Sequence, residues 1–346
     1  MTTNGIYIYG IVPNFYSTDM FRSLENSEVY AISFQNISAI VSSRNSTHIN
    51  YLDRESLGYL LVHHQKTIEE LQSKKFNMLI PMQLGTIVSS KEDVVKILAN
   101  GYDLFIDTLK KIEYLTEIDL VVTWTDFHGV LKEISGHHDI IAMKNDILKK
   151  TDTLSQIDQV KIGMLVQEKL KEKNTKVELN ILDSLSPISL DIQTHEVMND
   201  QMVTNSAFLI NSNRKEKFER VIDLLDEEYK GLLNFKLVGP LPCYSFYTIE
   251  VKELNPEHVA QAKKELELSE ETSESEIKKA YLGKAKLFHP DAQIESGIEE
   301  NFNRINKAYH TLLDYSAAAR QSSKENLISL ANEKVIRNSI LVKIKE

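Results

Sequence analysis

The sequence predicts an α+β fold in which two mixed domains precede an all-helical segment. Across residues 1–252, short β-branched and aromatic runs alternate with amphipathic helical patterns, which is typical of domains that combine sheet and helix. Residues 257–320 show helical periodicity alone. With 346 residues, of which 42% are hydrophobic, the chain is long enough and apolar enough to build several cores.

The first predicted domain covers residues 1–115 and has the element order of a ferredoxin-like sandwich. Its first apolar run stops at Pro13, which indicates a buried strand, and Asp53 can cap the long helix that follows the hairpin. In chain order the pattern predicts a strand at 6–13, a helix at 18–24, strands at 29–34 and 37–41, a helix at 54–73, a strand at 78–82 and a helix at 91–112. The order β-α-β-β-α-β is that of the ferredoxin-like fold.

The second predicted domain, residues 116–252, is an α/β domain with a helical insertion. A charge-rich helical pattern in its first half predicts a helical hairpin that projects from the domain. In chain order the pattern predicts a strand at 118–125, helices at 138–173 and 177–185, a strand at 202–210, a helix at 214–229, strands at 235–238 and 244–251, and a linker at 252–256.

Residues 257–320 predict three helices. A short lead-in helix covers residues 259–268. The second helix starts at a capping box, because Ser273 can cap it and Glu276 lies three residues later. The third helix, over 298–313, has its apolar residues spaced to face the second.

The tripeptide His289-Pro290-Asp291 links the second and third of these helices, and its proline ends the helix before it. Together with the flanking helices, the tripeptide makes the segment 257–320 resemble a J domain from end to end. The resemblance implies that the segment docks on a DnaK-type chaperone and stimulates its ATPase, with His289, Pro290 and Asp291 carrying that activity.

The helix before the tripeptide is basic in a chain whose formal net charge is −10. It carries four lysines, Lys278, Lys279, Lys284 and Lys286, which suit an acidic partner surface. The resemblance implies that these lysines steer the chaperone into place. Residues 321–346 are predicted to be a separate tail of polar to amphipathic character.

Four short runs and one histidine in residues 1–252 carry a second resemblance. They are Tyr-Ile-Tyr-Gly-Ile-Val at 7–12, His64, Leu-Ile-Pro-Met-Gln-Leu-Gly-Thr at 79–86, Asn-Ser-Ala-Phe-Leu-Ile at 205–210 and Val-Gly-Pro-Leu-Pro-Cys-Tyr-Ser-Phe at 238–246. In this order they resemble the GvpF/GvpL family of gas vesicle proteins.

The last of these runs is the most specific, because a glycine and two prolines fix a rigid turn that is expected to lead two aromatic residues into a strand. The residues of this motif are Gly239, Pro240, Pro242, Tyr244 and Phe246. Its aromatic side chains, like those of the other runs, are predicted to lie in a core or on a sheet face.

Composition excludes several classes of partner. An acidic chain with one small basic helix face does not suit nucleic acid, which needs a broad basic surface. No apolar run approaches the roughly 18 residues needed to span a bilayer, so no membrane is expected as a partner. The chain has a single cysteine, Cys243, and does not start with a leader pattern. We therefore expect a cytoplasmic protein.

Enzymatic chemistry is not expected, and neither are a metal or another cofactor. The pairs His63-His64 and His137-His138 are adjacent in sequence, so on a helix their side chains point about 100° apart and make poor metal ligands. The sequence contains no glycine-rich phosphate loop. Cys243 lies in a turn that contains no base to activate it.

The two resemblances together predict a gas vesicle accessory protein. In this hypothesis, residues 1–252 bind gas vesicle structural proteins, above all the apolar shell protein, and the J domain recruits a DnaK-type chaperone to them. Such a co-chaperone would work in the cytoplasm in association with gas vesicles. Two alternatives stay open: a minor structural component of the vesicle, or an unrelated ferredoxin-like enzyme with an appended J domain.

Overall fold

The computed structural model divides the chain into two compact units. One unit combines residues 1–111 with 247–346, and the other comprises residues 112–246. The structure describes residues 4–14, 29–45, 53–73, 78–149, 153, 155–287, 298–323 and 327–345.

The N-terminal part of the first unit is an α+β domain, called the N-terminal domain below. Its elements are β1 (Asn4–Pro13), β2 (Val29–Phe34), β3 (Ile37–Asn45), α1 (Arg54–Ser73), β4 (Ile80–Pro81), β5 (Ile87–Val88), α2 (Lys91–Asn100) and α3 (Tyr102–Ile112). The sheet is antiparallel with the order β2-β3-β1-β4, and β5 also pairs with β1. This arrangement confirms the expected ferredoxin-like class, while the helix predicted at 18–24 lies outside the described residues.

Local sequence signals set several boundaries of this domain. The Ser56 backbone N–H donates to Oδ1 of Asp53 over 2.7 Å, as expected for a cap of α1. Gln35 takes a φ of 48° in the predicted two-residue hairpin turn. The helix predicted at 91–112 is divided into α2 and α3 at Gly101.

The second unit is an antiparallel sheet with its long helices packed on one face. Its elements are β6 (Leu115–Trp124), α4 (Phe127–Ser135), α5 (His138–Leu148), α6 (Gln156–Leu185), a 3-10 turn (Ser186–Ile188), β7 (Asp191–Thr194), β8 (Met202–Asn211), α7 (Lys215–Tyr229), β9 (Leu233–Leu241) and α8 (Tyr244–Tyr247). The strand order is β7-β8-β6-β9. Alternate residues of β6, among them Leu120 and Trp124, are buried in a core with Phe208 and the helices.

The predicted helical insertion is present, with a different division between its helices. α5 ends at Leu148, and α6 then runs for 30 residues without a break. A capping box explains the new start, because the Asp158 backbone N–H donates to the Ser155 hydroxyl and the Ser155 backbone N–H donates to the Asp158 carboxylate.

The strand predicted at 244–251 is present only in its last part, from residue 249. Residues Tyr244–Tyr247 form a single helical turn, and the strand β10 (Ile249–Glu253) lies in the first unit, where it pairs with a strand near the end of the chain. The reason is that the Ser245 backbone N–H donates to a Glu117 carboxylate oxygen over 2.8 Å, so it is not available to a strand partner. The predicted linker is correspondingly shortened to residues 254–255.

The remainder of the first unit is mostly helical. Its elements are α9 (Pro256–Leu266), β11 (Glu271–Ser273), α10 (Glu274–Leu287), α11 (Ile298–Ser323), β12 (Leu327–Ser329), α12 (Glu333–Asn338) and β13 (Ile340–Ile344). Helices α9, α10 and α11, called the helical domain below, share a core to which Leu266, Ile277, Ile305 and Leu312 contribute. The three predicted helices are therefore present, and the last is longer than predicted.

Candidate functional site

The start of α10 is fixed by the capping box that the sequence predicted. The Ser273 backbone N–H donates to Glu276 Oε2 over 2.8 Å, and the Glu276 backbone N–H points back to the Ser273 hydroxyl at 3.4 Å. The Ser273 hydroxyl also donates to Glu276 Oε2 over 2.8 Å, and this bond, followed by the one from the Ser273 backbone N–H, lowers the pKa of the Glu276 carboxyl. The box therefore fixes the rotation of α10 and with it the direction of its lysines.

Three of the four lysines share one face of α10. At 100° per residue, Lys278, Lys279 and Lys286 fall within an arc of about 100°, and all three are exposed. Leu282 lies inside the same arc and is 58% exposed. We call these four residues the lysine face. It combines positive charge with an apolar centre, which suits a protein partner with an acidic rim.

Lys284 lies on the opposite side of α10. Its Nζ is 2.8 Å from Oε1 of Glu267, the left-handed residue that ends α9. This contact lowers the pKa of the Glu267 carboxyl. Lys284 thus ties two helices of the domain together instead of joining the lysine face.

Lys278 forms an ion pair with a carboxylate in the first turn of α10. Its Nζ is 2.6 Å from Oε1 of Glu274, which also pairs with the Arg320 guanidinium of α11. The hydrogen bond to Lys278 is the largest cause of the lowered pKa of Glu274. Part of the charge of Lys278 is therefore offset within the domain, so Lys279 and Lys286 carry more of the outward charge.

Helices α10 and α11 are also fixed by their tyrosines. The rings of Tyr281 and Tyr309 stack with centroids 4.1 Å apart, and the Tyr281 hydroxyl donates to Oδ1 of Asn306 over 3.3 Å. The tripeptide His289-Pro290-Asp291 follows α10 in the chain and lies outside the described residues.

In the N-terminal domain, the 7–12 run, His64 and the 79–86 run meet in one buried polar cluster. The Tyr7 hydroxyl lies 2.7 Å from Nδ1 of His64 and accepts from the Gly85 backbone N–H over 3.3 Å. The neighbouring Tyr9 hydroxyl lies 3.0 Å from the Ser42 hydroxyl. Burial lowers the pKa of His64 to about 4, so the imidazole is neutral near pH 7. The cluster joins β1, α1 and the 79–86 run, which is a structural role.

The glycine-proline motif of the second unit forms a turn against β6. Gly239 takes a φ of 145°, and a Cβ there would lie 2.9 Å from the Glu117 carbonyl oxygen, so a side chain does not fit. Pro242 is buried, while Tyr244 and Phe246 are half-buried in the helical turn that follows. The motif thus folds a short segment over the outer face of β6.

Beneath this segment lies a carboxyl pair that the sequence reasoning missed. Glu117 is only 1% exposed, and its two oxygens accept from the Ser245 backbone N–H at 2.8 Å and from the Ser245 hydroxyl at 2.9 Å. Burial raises the pKa of Glu117 to about 8 and also raises the pKa of the adjacent Asp119. Two acidic residues at alternate positions of an otherwise apolar strand were the available signal.

His195 completes this network from the outside. Its Nε2 lies 3.2 Å from the Ser245 hydroxyl. Burial dominates the raised pKa of Asp119, and the electrostatic interaction with His195 offsets part of that rise. Cys243 is buried nearby, and burial raises the pKa of its thiol to about 12. A thiol with so high a pKa is a poor nucleophile.

The comparisons with known proteins agree with both parts of this description. The family model described as gas vesicle synthesis protein GvpL/GvpF matches residues 5–248. The chain belongs to the GvpL/GvpF family. A DnaJ domain model matches residues 264–320, so the helical domain is called the J domain below.

Curated relatives support each assignment. Gas vesicle protein F of Nostoc sp. PCC 7120 is 23% identical over 249 residues, which is 71% of this chain and 99% of the relative. Gas vesicle protein F of Haloferax mediterranei is 20% identical over 253 residues, 72% of this chain and 96% of the relative. The chaperone protein DnaJ of Limosilactobacillus reuteri is 46% identical over 55 residues, which is 16% of this chain and 14% of the relative.

Two crystal structures share the GvpL/GvpF fold. That of gas vesicle protein GvpF from Anabaena sp. PCC7120 gives a TM-score of 0.57 at 21% identity and covers 70% of this chain and 97% of that one. That of GvpF from Microcystis aeruginosa gives a TM-score of 0.55 at 19% identity and covers 70% and 98%. Nearly the whole of each GvpF chain is matched by 70% of this chain, and the J domain lies outside the residues that the GvpL/GvpF model matches.

Within the described ranges, this GvpL/GvpF chain shows no group of three or more His, Cys, Asp or Glu residues placed to hold a metal ion. Among the helices of the same ranges, none is both long and apolar enough to cross a membrane.

Proposed function

We propose that this GvpL/GvpF chain is a gas vesicle assembly factor that binds vesicle components and recruits a DnaK-type chaperone to them. The observation that carries the proposal is the fusion itself: a J domain with a shared helical core and an exposed lysine face is joined to a GvpL/GvpF body. The protein acts in the cytoplasm where gas vesicles assemble.

The proposed role of the J domain follows from its charge and exposure. The lysine face meets an acidic surface of the chaperone, and His289, Pro290 and Asp291 stimulate ATP hydrolysis as the J-domain resemblance implies. Lys284 contributes indirectly, because its contact with Glu267 holds α10 in place.

The proposed client is the apolar shell protein of the vesicle. A small protein that must present a dry wall exposes aggregating surface before it assembles, so it needs a partner that covers that surface. The second unit offers an apolar row along α6, where Ile157, Val160 and Met164 are exposed at i, i+3 and i+7. This spacing lets three side chains contact one amphipathic helix of a client.

The proposal is tested with full-length protein, purified shell protein and a cognate DnaK-type chaperone, with light scattering as the measure of aggregation. Full-length protein and its Asp291→Asn variant should delay aggregation equally without nucleotide. After chaperone and ATP are added, only the unaltered protein should return the shell protein to solution. A matched pair, Met164→Asp and Lys161→Asp, tests the apolar row of α6, and only the first should shorten the delay.

Two outcomes contradict the proposal in different ways. If neither full-length protein nor Asp291→Asn delays aggregation, the shell protein is not the client. If both release it equally on adding chaperone and ATP, the J domain is not coupled to the body.

A further inference from the structure

Residues 327–345, called the strap below, contact both the J domain and the N-terminal domain. The strap contains β12, α12 and β13, and it lies beyond the residues that the DnaJ model matches. Both domains belong to the first compact unit, and only residues 254–255 separate β10 from α9.

One half of the strap completes the J domain. β12 pairs antiparallel with β11, so Ile328 lies opposite Thr272. Ile328, Leu330 and Ile336 are buried in the same core as the J-domain helices. This half therefore belongs physically to the J domain.

The other half, β13, is attached to α11 by two side chains. The Gln321 amide forms a pair of hydrogen bonds with the backbone of Val342, donating to its carbonyl over 2.6 Å and accepting from its N–H over 3.0 Å. The Asp314 carboxylate lies 3.8 Å from Nζ of Lys343 on β13 and 3.3 Å from Nζ of Lys252 on β10. Helix α11 thus holds both strands of the β10-β13 ribbon.

The same strand is packed against the N-terminal domain. Val342 is fully buried, and a Cβ on Gly101 would lie 2.8 Å from its Cγ1 and 2.7 Å from Cε2 of Phe105, so a side chain at position 101 does not fit unless these neighbours shift. The Asn100 side-chain amide donates to the Ile340 carbonyl over 3.2 Å. The strand partner β10 is anchored as well, because the Gln83 backbone N–H donates to the Ile249 carbonyl over 2.8 Å.

We propose that the strap clamps the J domain to the N-terminal domain, so that the lysine face keeps one orientation relative to the N-terminal sheet. β13 packs on both domains, and its buried contacts and hydrogen bonds restrict the relative motion that residues 254–255, which join β10 to α9, would otherwise allow. A chaperone recruited by the J domain is then delivered to one fixed position relative to the N-terminal domain.

The clamp is tested by measuring the distance between two dyes on the full chain, one on each domain. The dyes are attached through Lys110→Cys on α3 and Lys307→Cys on α11, since Cys243 is buried and its high pKa keeps it from reacting. The disruptive variant is Val342→Asp, in which a buried β13 side chain becomes charged. Val335→Asp is the matched control, because Val335 also lies in the strap and is 48% exposed.

Unaltered protein and Val335→Asp should give the same single narrow distance distribution. Val342→Asp should give one that is about twofold broader, as expected when a docked domain is released. Gln321→Ala is a milder disruption, because it removes both hydrogen bonds to Val342. If circular dichroism shows that Val342→Asp does not fold, the distance distribution of Gln321→Ala tests the clamp instead. A broad distribution in the unaltered protein, or an unchanged one in every folded strap variant, overturns the clamp.

A second readout rests on the proposed function and separates the two ideas. Because the half of the strap in the J-domain core is untouched, Gln321→Ala should still stimulate the chaperone ATPase within about twofold of the unaltered protein, as expected for a change outside the docking face. Return of the shell protein to solution should slow. If the distance distribution broadens but the return of the shell protein does not slow, the clamp stands and its role in delivery is wrong.

Discussion

At the scale of single residues, Glu117 shows how one side chain decides the course of the backbone. Its carboxyl group receives two hydrogen bonds from Ser245, which lies 128 positions away in the sequence. Those bonds hold the turn of the family motif on β6. The motif was recognisable from its glycine and prolines, but the partner that receives Ser245 was not, because no local pattern reports a contact over such a separation.

The raised pKa of Glu117 predicts that stability depends on pH. The unfolded group titrates near its usual value of 4.5 and the folded group near 8. Between these values the folded state therefore binds more protons than the unfolded state. The contribution of Glu117 to the free energy of unfolding is thus present at acid pH and is lost as pH rises from about 5 through about 8. Glu117→Gln keeps an acceptor for Ser245 and cannot ionise. In urea unfolding experiments across this range, the variant should gain stability relative to the unaltered protein as pH rises.

The matched control for this prediction is Glu227→Gln, at an exposed position on α7. Its free energy of unfolding, plotted against pH, should run parallel to that of the unaltered protein. Parallel curves for Glu117→Gln as well would show that the carboxyl pair does not titrate between pH 5 and 8, contrary to its buried setting.

At the scale of elements, the sequence predicted what neighbouring residues determine. Asp53 caps α1 and the Ser273–Glu276 box starts α10, because each signal and its structure lie within one helical turn. Where residues distant in the sequence determine the local structure, the sequence did not predict it. Gly101 divides one predicted helix in two at the place where Val342 packs against it.

The elements of the strap predict where the stability of the J domain comes from. Ile336 and Val335 are adjacent on α12, but Ile336 is buried in the J-domain core and Val335 is exposed. Ile336→Ala should lower the free energy of unfolding of the J-domain fragment 257–338 by about 2–4 kcal/mol, as for other buried isoleucines. Val335→Ala should change it by less than about 0.5 kcal/mol.

Urea denaturation followed by circular dichroism measures both changes. The fragment 257–320, which ends before the strap, should unfold at a lower urea concentration than 257–338. Equal midpoints for the two fragments would mean that residues 327–338 add nothing to the core, and the J domain would then end where the DnaJ family model ends.

At the scale of the whole molecule, the distribution of charge over the surface matters more for binding an acidic partner than the net charge does. The formal net charge is −10, so an acidic partner surface is repelled by the chain on average. The lysine face of α10 is a local exception whose orientation is set by the capping box and the tyrosine stack. The sequence identified the lysines, but the structure was needed to separate Lys284, which points to Glu267, from the three that share a face.

This separation predicts which lysines affect recruitment of the chaperone. Lys279→Glu together with Lys286→Glu should slow association with the DnaK-type chaperone by about tenfold at about 0.02 M salt, because exposed charges steer the encounter. At about 0.3 M salt the effect should fall below about threefold, since the Debye length shrinks to a few ångströms. Lys307→Glu, an exposed lysine on α11, serves as the control and should change the association rate little at either salt concentration. Stopped-flow measurements give the association rates. An equal loss of rate at both salt concentrations would show that the two lysines contribute packing in the complex instead of steering. An equal loss of rate in Lys307→Glu would show that the lysine face of α10 has no special role.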